Sequence, residues 1–325
     1  MARFRFFNNT PPEVGISKEE ARASVRTDFI GFFMTYGRKF WNISNLNLII
    51  ALYVVLFAFG VWTLSPYPLF FYLFLGLMAL LFGPLSAGVA YVTRGYVRGD
   101  PVYLLADFRY AIKTNWKQAI LLGLLDLLVV FMLIYDVFYW SNMDFDYFAS
   151  LPAGETVVET YTSFGEDETK TEDEALPAET PAAASAEDTH PASRPQSFLH
   201  GVFFYGSLFL LLIYGFMRMY LYLLLVTFKL SFFKIVKNAF IFAFVGAARN
   251  FAAAFGILLF AVANFAIFTF MPMVGILLSL VITLASMAFV GAYATYPVIK
   301  KYMITPFYPD EEVNEAYDSI FKDRE

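Results

Sequence analysis

Long, predominantly apolar runs recur six times along this chain. A membrane-crossing helix needs about 20 predominantly apolar residues. The runs fall at about 46–64, 69–92, 119–140, 198–228, 251–271 and 274–296. The first holds no charge, the third holds Asp126 and Asp136, and the fourth holds Arg218. Only Met-Pro-Met separates the last two, which predicts a tight hairpin. Two segments between runs have a different, amphipathic pattern. Over 101–118, Leu105, Phe108, Ile112 and Trp116 share one helical face, while Arg109, Lys113 and Lys117 form a basic stripe on another. Asp100 offers an N-cap for that helix and Pro101 suits its first position. Over 231–246, Phe232, Phe233, Val236, Ala239 and Phe240 alternate with Lys234, Lys237 and Asn238. Both patterns suit helices lying in a membrane interface, cations near anionic lipid. Each precedes a span through a similar junction, at Asn115 and at Asn250, so span, interfacial helix and span read as a weak parallel repeat.

Composition agrees with a membrane class. The 325 residues are 59% hydrophobic, 20% aromatic and only 16% charged, against about a quarter charged in soluble domains. Charge then orients the spans, because Lys and Arg concentrate in short cytoplasmic loops. Residues 1–45 hold seven basic residues, 93–118 five, 229–250 four and 297–325 four. Residues 141–197 hold two, against thirteen acids, for a net −11. Six spans with both ends cytoplasmic place every basic segment on one side. No signal peptide is expected, since the first apolar run follows a charged segment and lacks a short apolar core with a cleavage pattern. At the amino end, Ser17 to Glu20 make a capping-box signature, and 28–41 is expected to lie against the membrane ahead of the first span.

The organisation expected is a cytoplasmic segment over 1–45; spans one to three over 46–140 with an interfacial helix at 101–118; an acidic outer insert over 141–197; spans four to six over 198–296 with an interfacial helix at 231–246; and a cytoplasmic tail over 297–325. The insert is rich in Glu, Thr, Pro and Ala and cannot bury enough apolar surface to fold alone, which predicts a disordered spacer.

Candidate chemistry is sparse. Without cysteine there is no disulfide, thiolate nucleophile or Cys metal site. The two histidines, His190 and His200, both fall on the outer side, so no zinc site is expected. No HExxH, Walker A, GxSxG or dinucleotide fingerprint occurs, which predicts a non-enzyme with no cofactor. Nucleic-acid binding has no support, because topology already explains the basic segments. Ionisable residues inside spans are costly and are usually paired or face a cavity. Asp126 and Arg218 lie at depths that differ by only ~2–3 Å at 1.5 Å per residue, so they are the candidate intramembrane pair. Two roles stay open for it, a lock on helix registry or a substrate or proton site. Asp136, nearer the outer end, is read as solvated. In the second span Gly83, Pro84, Ser86 and Gly88 make a small-residue patch around a proline, which suits a close packing kink or a gating hinge. Asn264, Ser279, Thr283 and Ser286 are the further polar groups that could line a path in the last two spans.

The stretch GPLSAGVAYVTRGYVRGDPVYLLADFRYAIKTNWKQA resembles the core motif of the YesL-like family of bacterial membrane proteins. The matching features are Pro84 to Ala87, Arg94 and Arg98, Asp100, and then Phe108, Lys113, Asn115, Lys117, Gln118 and Ala119. RKFWNISNLNLI, FKIVKNAFIFA and AYATYPVIKKY are similar to the family's other landmarks. The family's biochemical activity is unknown. The resemblance implies a Gram-positive cytoplasmic-membrane protein associated with carbohydrate uptake and polysaccharide degradation. The expected class is an all-α, six-span protein with two cytoplasmic interfacial helices. Its partners are the lipid bilayer and, by resemblance, sugar-importer permease subunits, with a homo-oligomer as a further state. An accessory protein of an ABC-type importer and a secondary transporter or channel are the two functions carried forward. An intramembrane enzyme has little support.

Overall fold

A computed structural model describes residues 28–142 and 194–307. The capping box at 17–20, His190, most of the acidic insert and the end of the tail lie outside the described residues. The described chain is all-α. Its elements are α1 (Phe29–Leu64), α2 (Pro68–Arg98), α3 (Leu104–Ser141), α4 (Arg194–Thr227), α5 (Phe232–Val245), α6 (Ala247–Phe270), α7 (Pro272–Leu278) and α8 (Leu284–Ile299). A π-helical turn at Ser279–Thr283 joins α7 to α8, and a second follows at Lys300–Ile304. Six helical stretches are long and apolar enough to cross a membrane. Their outward side chains are apolar, for example Phe255 and Phe265 at 70% exposure, a surface that suits hydrocarbon rather than water.

The chain divides into two compact units, Met1–Leu133 with Leu210–Glu325, and Ile134–Phe209. In the larger unit α8 packs on α1, α2 and α6. α1 and α8 run antiparallel: Tyr36 and Ser286 hydroxyls meet at 2.8 Å, and Tyr293 donates to the Asp28 carbonyl at 3.0 Å. Asn47, fully buried, donates to the Ser279 carbonyl at 2.9 Å and accepts the Ala285 N–H at 2.6 Å. It thereby satisfies backbone groups at the two ends of the π turn, where the ordinary helical ladder is interrupted. In the smaller unit Trp140 stacks on Phe203 with ring centres 4.9 Å apart.

Several expectations need correction. Residues 101–118 do not form a separate helix. α3 runs unbroken for 38 residues, about 57 Å at 1.5 Å per residue, well beyond a hydrocarbon core of about 30 Å. None of Asn115, Trp116, Lys117 and Gln118 interrupts a helix, so the polar junction marks a change of surroundings and not of backbone. The helix also begins later than Pro101. Asp100 pairs with Arg98 at 3.2 Å instead of capping α3, and Asp107 accepts the Tyr103 N–H at 2.8 Å. Of the apolar face expected there, Phe108 is buried and Ile112 half-buried, but Leu105 and Trp116 are exposed. Ala111 and Ala119 share the inward face with Phe108. The segment 28–41 likewise belongs to a continuous α1, capped where Asp28 accepts the Gly31 N–H at 3.3 Å. Phe32 packs on Phe289 and Tyr293.

The second amphipathic segment is a distinct helix, α5, but its buried seam is Ile235, Ala239 and Phe242, rotated from the expected one. Its end is set by Gly246, where a side chain would collide with the Tyr220 hydroxyl. Asn250 donates to the Phe242 and Ala243 carbonyls at 3.1 and 2.9 Å and accepts from Tyr220 at 2.6 Å. The bond to Ala243 satisfies a carbonyl that the helix end leaves open, and the bond to Phe242 adds to the one from the Gly246 N–H. The repeat is therefore unequal: one copy is broken at a glycine, the other is continuous.

Candidate functional site

The second and third spans meet where glycine faces glycine. A Cβ on Gly83 would strike the Ala119 carbonyl and come within 3.1 Å of the Gly123 Cα. Only a hydrogen side chain permits that approach, as small-residue contacts do between membrane helices. Gly88 repeats the device, with its Cβ position taken by the Phe108 ring. Pro84 sits at this contact inside an α2 that continues to Arg98. The ring of Pro84 removes one helical N–H.

Close approach of α2 and α3 leaves Asp126, one turn beyond Gly123, only 1% exposed. A buried carboxylate is costly unless hydrogen-bonded and paired. Asp126 has three donors, all from α4. Tyr214 donates to Oδ1 at 2.9 Å, Arg218 Nε to Oδ2 at 3.0 Å, and Tyr222 to Oδ2 at 3.2 Å. The donors stand at 214, 218 and 222, a spacing of four that puts them on one helical face. From α2, the Phe82 ring centre lies 5.7 Å from the Arg218 guanidinium. The small-residue patch and the intramembrane charges are thus one constellation on α2, α3 and α4. The pair is unevenly buried, because 46% of the Arg218 side chain remains exposed.

At the end of α4, Arg94 Nη1 donates to the Val226 carbonyl at 2.9 Å and Gln118 to the Leu230 carbonyl at 3.1 Å. A cation at a helix carboxyl end is favoured by the helix dipole. Arg109, Lys113 and Lys117 are exposed on α3 and join none of these clusters.

Asp136 is not simply solvated. It is half-buried, accepts the Ser207 hydroxyl, and accepts the Trp140 indole N–H at 3.2 Å. Three of the four polar groups of the last two spans bond to one another. Asn264 donates to Ser279 and Thr283 at 2.9 and 2.7 Å, while Ser286 meets Tyr36. Among the described residues no group of three or more His, Cys, Asp or Glu is placed to hold a metal ion. Sequence reasoning missed Tyr214 and Tyr222. The signal that could have found them is their spacing of four on either side of an intramembrane arginine.

Residues 67–137 match the model of a family described as a protein of unknown function, DUF624. The matched stretch holds Phe82, Gly83, Ser86, Gly123 and Asp126, while the α4 donors lie outside it. No curated protein and no solved structure matches the chain.

Proposed function

We propose that this chain is a non-enzymatic multi-pass protein of a bacterial cytoplasmic membrane that serves as an accessory component of ABC-type carbohydrate uptake. Both ends are cytoplasmic and the acidic insert is outside. The YesL-like resemblance supplies the association with sugar uptake. The observation that favours an accessory role over transport is the state of Asp126. Its carboxylate takes three protein donors in a 1% exposed site. A fully partnered intramembrane acid acts as a registry lock between α3 and α4, in which the low dielectric strengthens every bond.

A secondary transporter or channel is the second reading. What favours it is the half-exposed Arg218, since an intramembrane cation open on one side can serve a passing anion. The two readings separate on affinity purification of the tagged protein in mild detergent, from its native host grown on a plant polysaccharide. Stoichiometric recovery of importer permease subunits is the expected result. Recovery of the chain alone, or as a homo-oligomer, overturns the accessory role and directs liposome flux assays to Arg218 variants.

A further inference from the structure

We propose that a cavity between the start of α1 and the end of α2 binds a phosphate-bearing anion. The cavity measures about 540 Å³. α1 lines it with Thr35, Arg38, Lys39 and Asn42, a spacing of three, four and seven residues that sets all four on one helical face. α2 contributes Arg98 and Gly99 from its last turn. Three cations therefore converge on one cavity, and among the described residues no carboxylate lines it. Arg98 is 6% exposed and Thr35 8%, so two polar walls are built into the protein and not draped over it. Asp100 lies 3.2 Å from Arg98 Nε and offsets one charge, which leaves the described lining net positive. Tyr96 braces the opposite wall: it donates to the Asn42 carbonyl at 3.3 Å, and its ring lies 5.9 Å from Lys39 Nζ.

The end of a helix ordinarily repels anions through its open carbonyls. Here that effect is reduced. Gly99, at φ 80°, closes α2 so that its N–H bonds the Tyr96 carbonyl at 3.3 Å and the Asp100 N–H bonds the Gly95 carbonyl at 3.0 Å. That conformation is strained for any residue with a Cβ and common for glycine. Arginine forks and a lysine point charge together suit phosphate oxygens. The cavity also lies just past the ends of two apolar runs, since the run of α1 starts near Leu46 and that of α2 ends near Val92. This is the depth at which lipid phosphates sit. The phosphate can belong to an anionic lipid or to a soluble phosphate compound.

The test uses the full chain purified in neutral detergent. Dioctanoyl phosphatidylglycerol, dioctanoyl phosphatidylcholine and inorganic phosphate are titrated separately, with binding followed by native mass spectrometry and thermal unfolding. The double variant Arg38→Gln/Lys39→Gln is expected to weaken binding by about 10-fold or more, while Arg38→Lys/Lys39→Arg and the α3 control Lys113→Gln/Lys117→Gln stay within about twofold. Asn42→Asp, on an exposed edge of the cavity, should weaken binding as well and serves if the double variant does not fold. Saturable binding of phosphatidylglycerol without inorganic phosphate assigns the site to lipid. Saturable binding of inorganic phosphate assigns it to a soluble anion. The proposal is overturned if neither anion saturates, if phosphatidylcholine binds as tightly as phosphatidylglycerol, or if the α3 control loses as much affinity as the α1 variant.

Discussion

Replacing Asp126 by leucine tests whether three donors hold one buried carboxylate. The substitution keeps a side chain of similar reach and removes the acceptor of Tyr214, Arg218 and Tyr222. In water-soluble proteins, breaking a fully buried ion pair costs about 3–5 kcal/mol. That figure is too large here, because Arg218 is 46% exposed and its head group can turn outward. Hydrogen bonds between membrane helices average about 0.6 kcal/mol and reach about 1.7. Three such bonds give about 2 kcal/mol for Asp126→Leu at the average and about 5 at the upper limit. Tyr214→Phe alone should cost about 0.6 kcal/mol, and Tyr222→Phe less, since its bond to the carboxylate is longer, 3.2 Å against 2.9 Å. The sharper quantity is coupling. In the Asp126→Leu background the Tyr214 hydroxyl has lost its acceptor, so Tyr214→Phe should become neutral or stabilising. Stability is measured by steric trapping in bicelles, with each variant and the double variant forming a cycle. Equal costs for Tyr214→Phe in the two backgrounds would refute the shared-carboxylate argument. Exchanging the charges, Asp126→Arg with Arg218→Asp, should not restore stability, because a 1% exposed site shaped for a carboxylate cannot hold an arginine.

Three further substitutions probe the scaffold around this cluster. Gly83→Val should destabilise by about 2–4 kcal/mol through overpacking against the Ala119 carbonyl, whereas Gly76→Val, with open space at its Cβ, should fold normally; thermal unfolding in detergent compares the two. Asn250→Leu removes the donor to the Phe242 and Ala243 carbonyls and the acceptor of Tyr220, so a loss of about 1–3 kcal/mol is expected. Its hydrogen exchange should rise at the end of α5 before it rises elsewhere. Asn47→Leu leaves the Ser279 carbonyl and the Ala285 N–H without their side-chain partner. A similar loss is expected in the same unfolding assay, and an unchanged midpoint would show that the π turn satisfies itself.

Hydropathy identified the six spans because burial in lipid is a property of long runs, which a sequence displays directly, and matching Asp126 to Arg218 along two of those runs pointed to the pair that the structure brings to 3.0 Å. It misplaced the start of α3 for a related reason. A switch from apolar to charged residues records where the surroundings change from lipid to water, and a helix crosses that boundary if nothing in it breaks the backbone. Lys113, Asn115, Lys117 and Gln118 change the surroundings of α3 but continue its hydrogen bonding. Gly246 and Gly99 do the opposite: they change little in polarity, yet one ends α5 and the other ends α2. Tyr214 and Tyr222 were hidden by composition, because with 21 tyrosines in the chain one more apolar-bodied ring carries no signal alone. The informative pattern is a tyrosine four residues to each side of a charge within a span. It says that the charge has been given companions on its own helix face, and hence that the partner is a carboxylate able to accept from all three. The same argument explains why Gly83 and Asp126 belong together. A carboxylate can be surrounded by donors from α4 only if α2 closes the remaining side, and α2 can come that close only where Gly83 meets Gly123. A larger residue at position 83 should therefore weaken the Asp126 bonds without touching any of their partners. In a cycle between Gly83→Val and Tyr214→Phe, the tyrosine should matter less in the valine background.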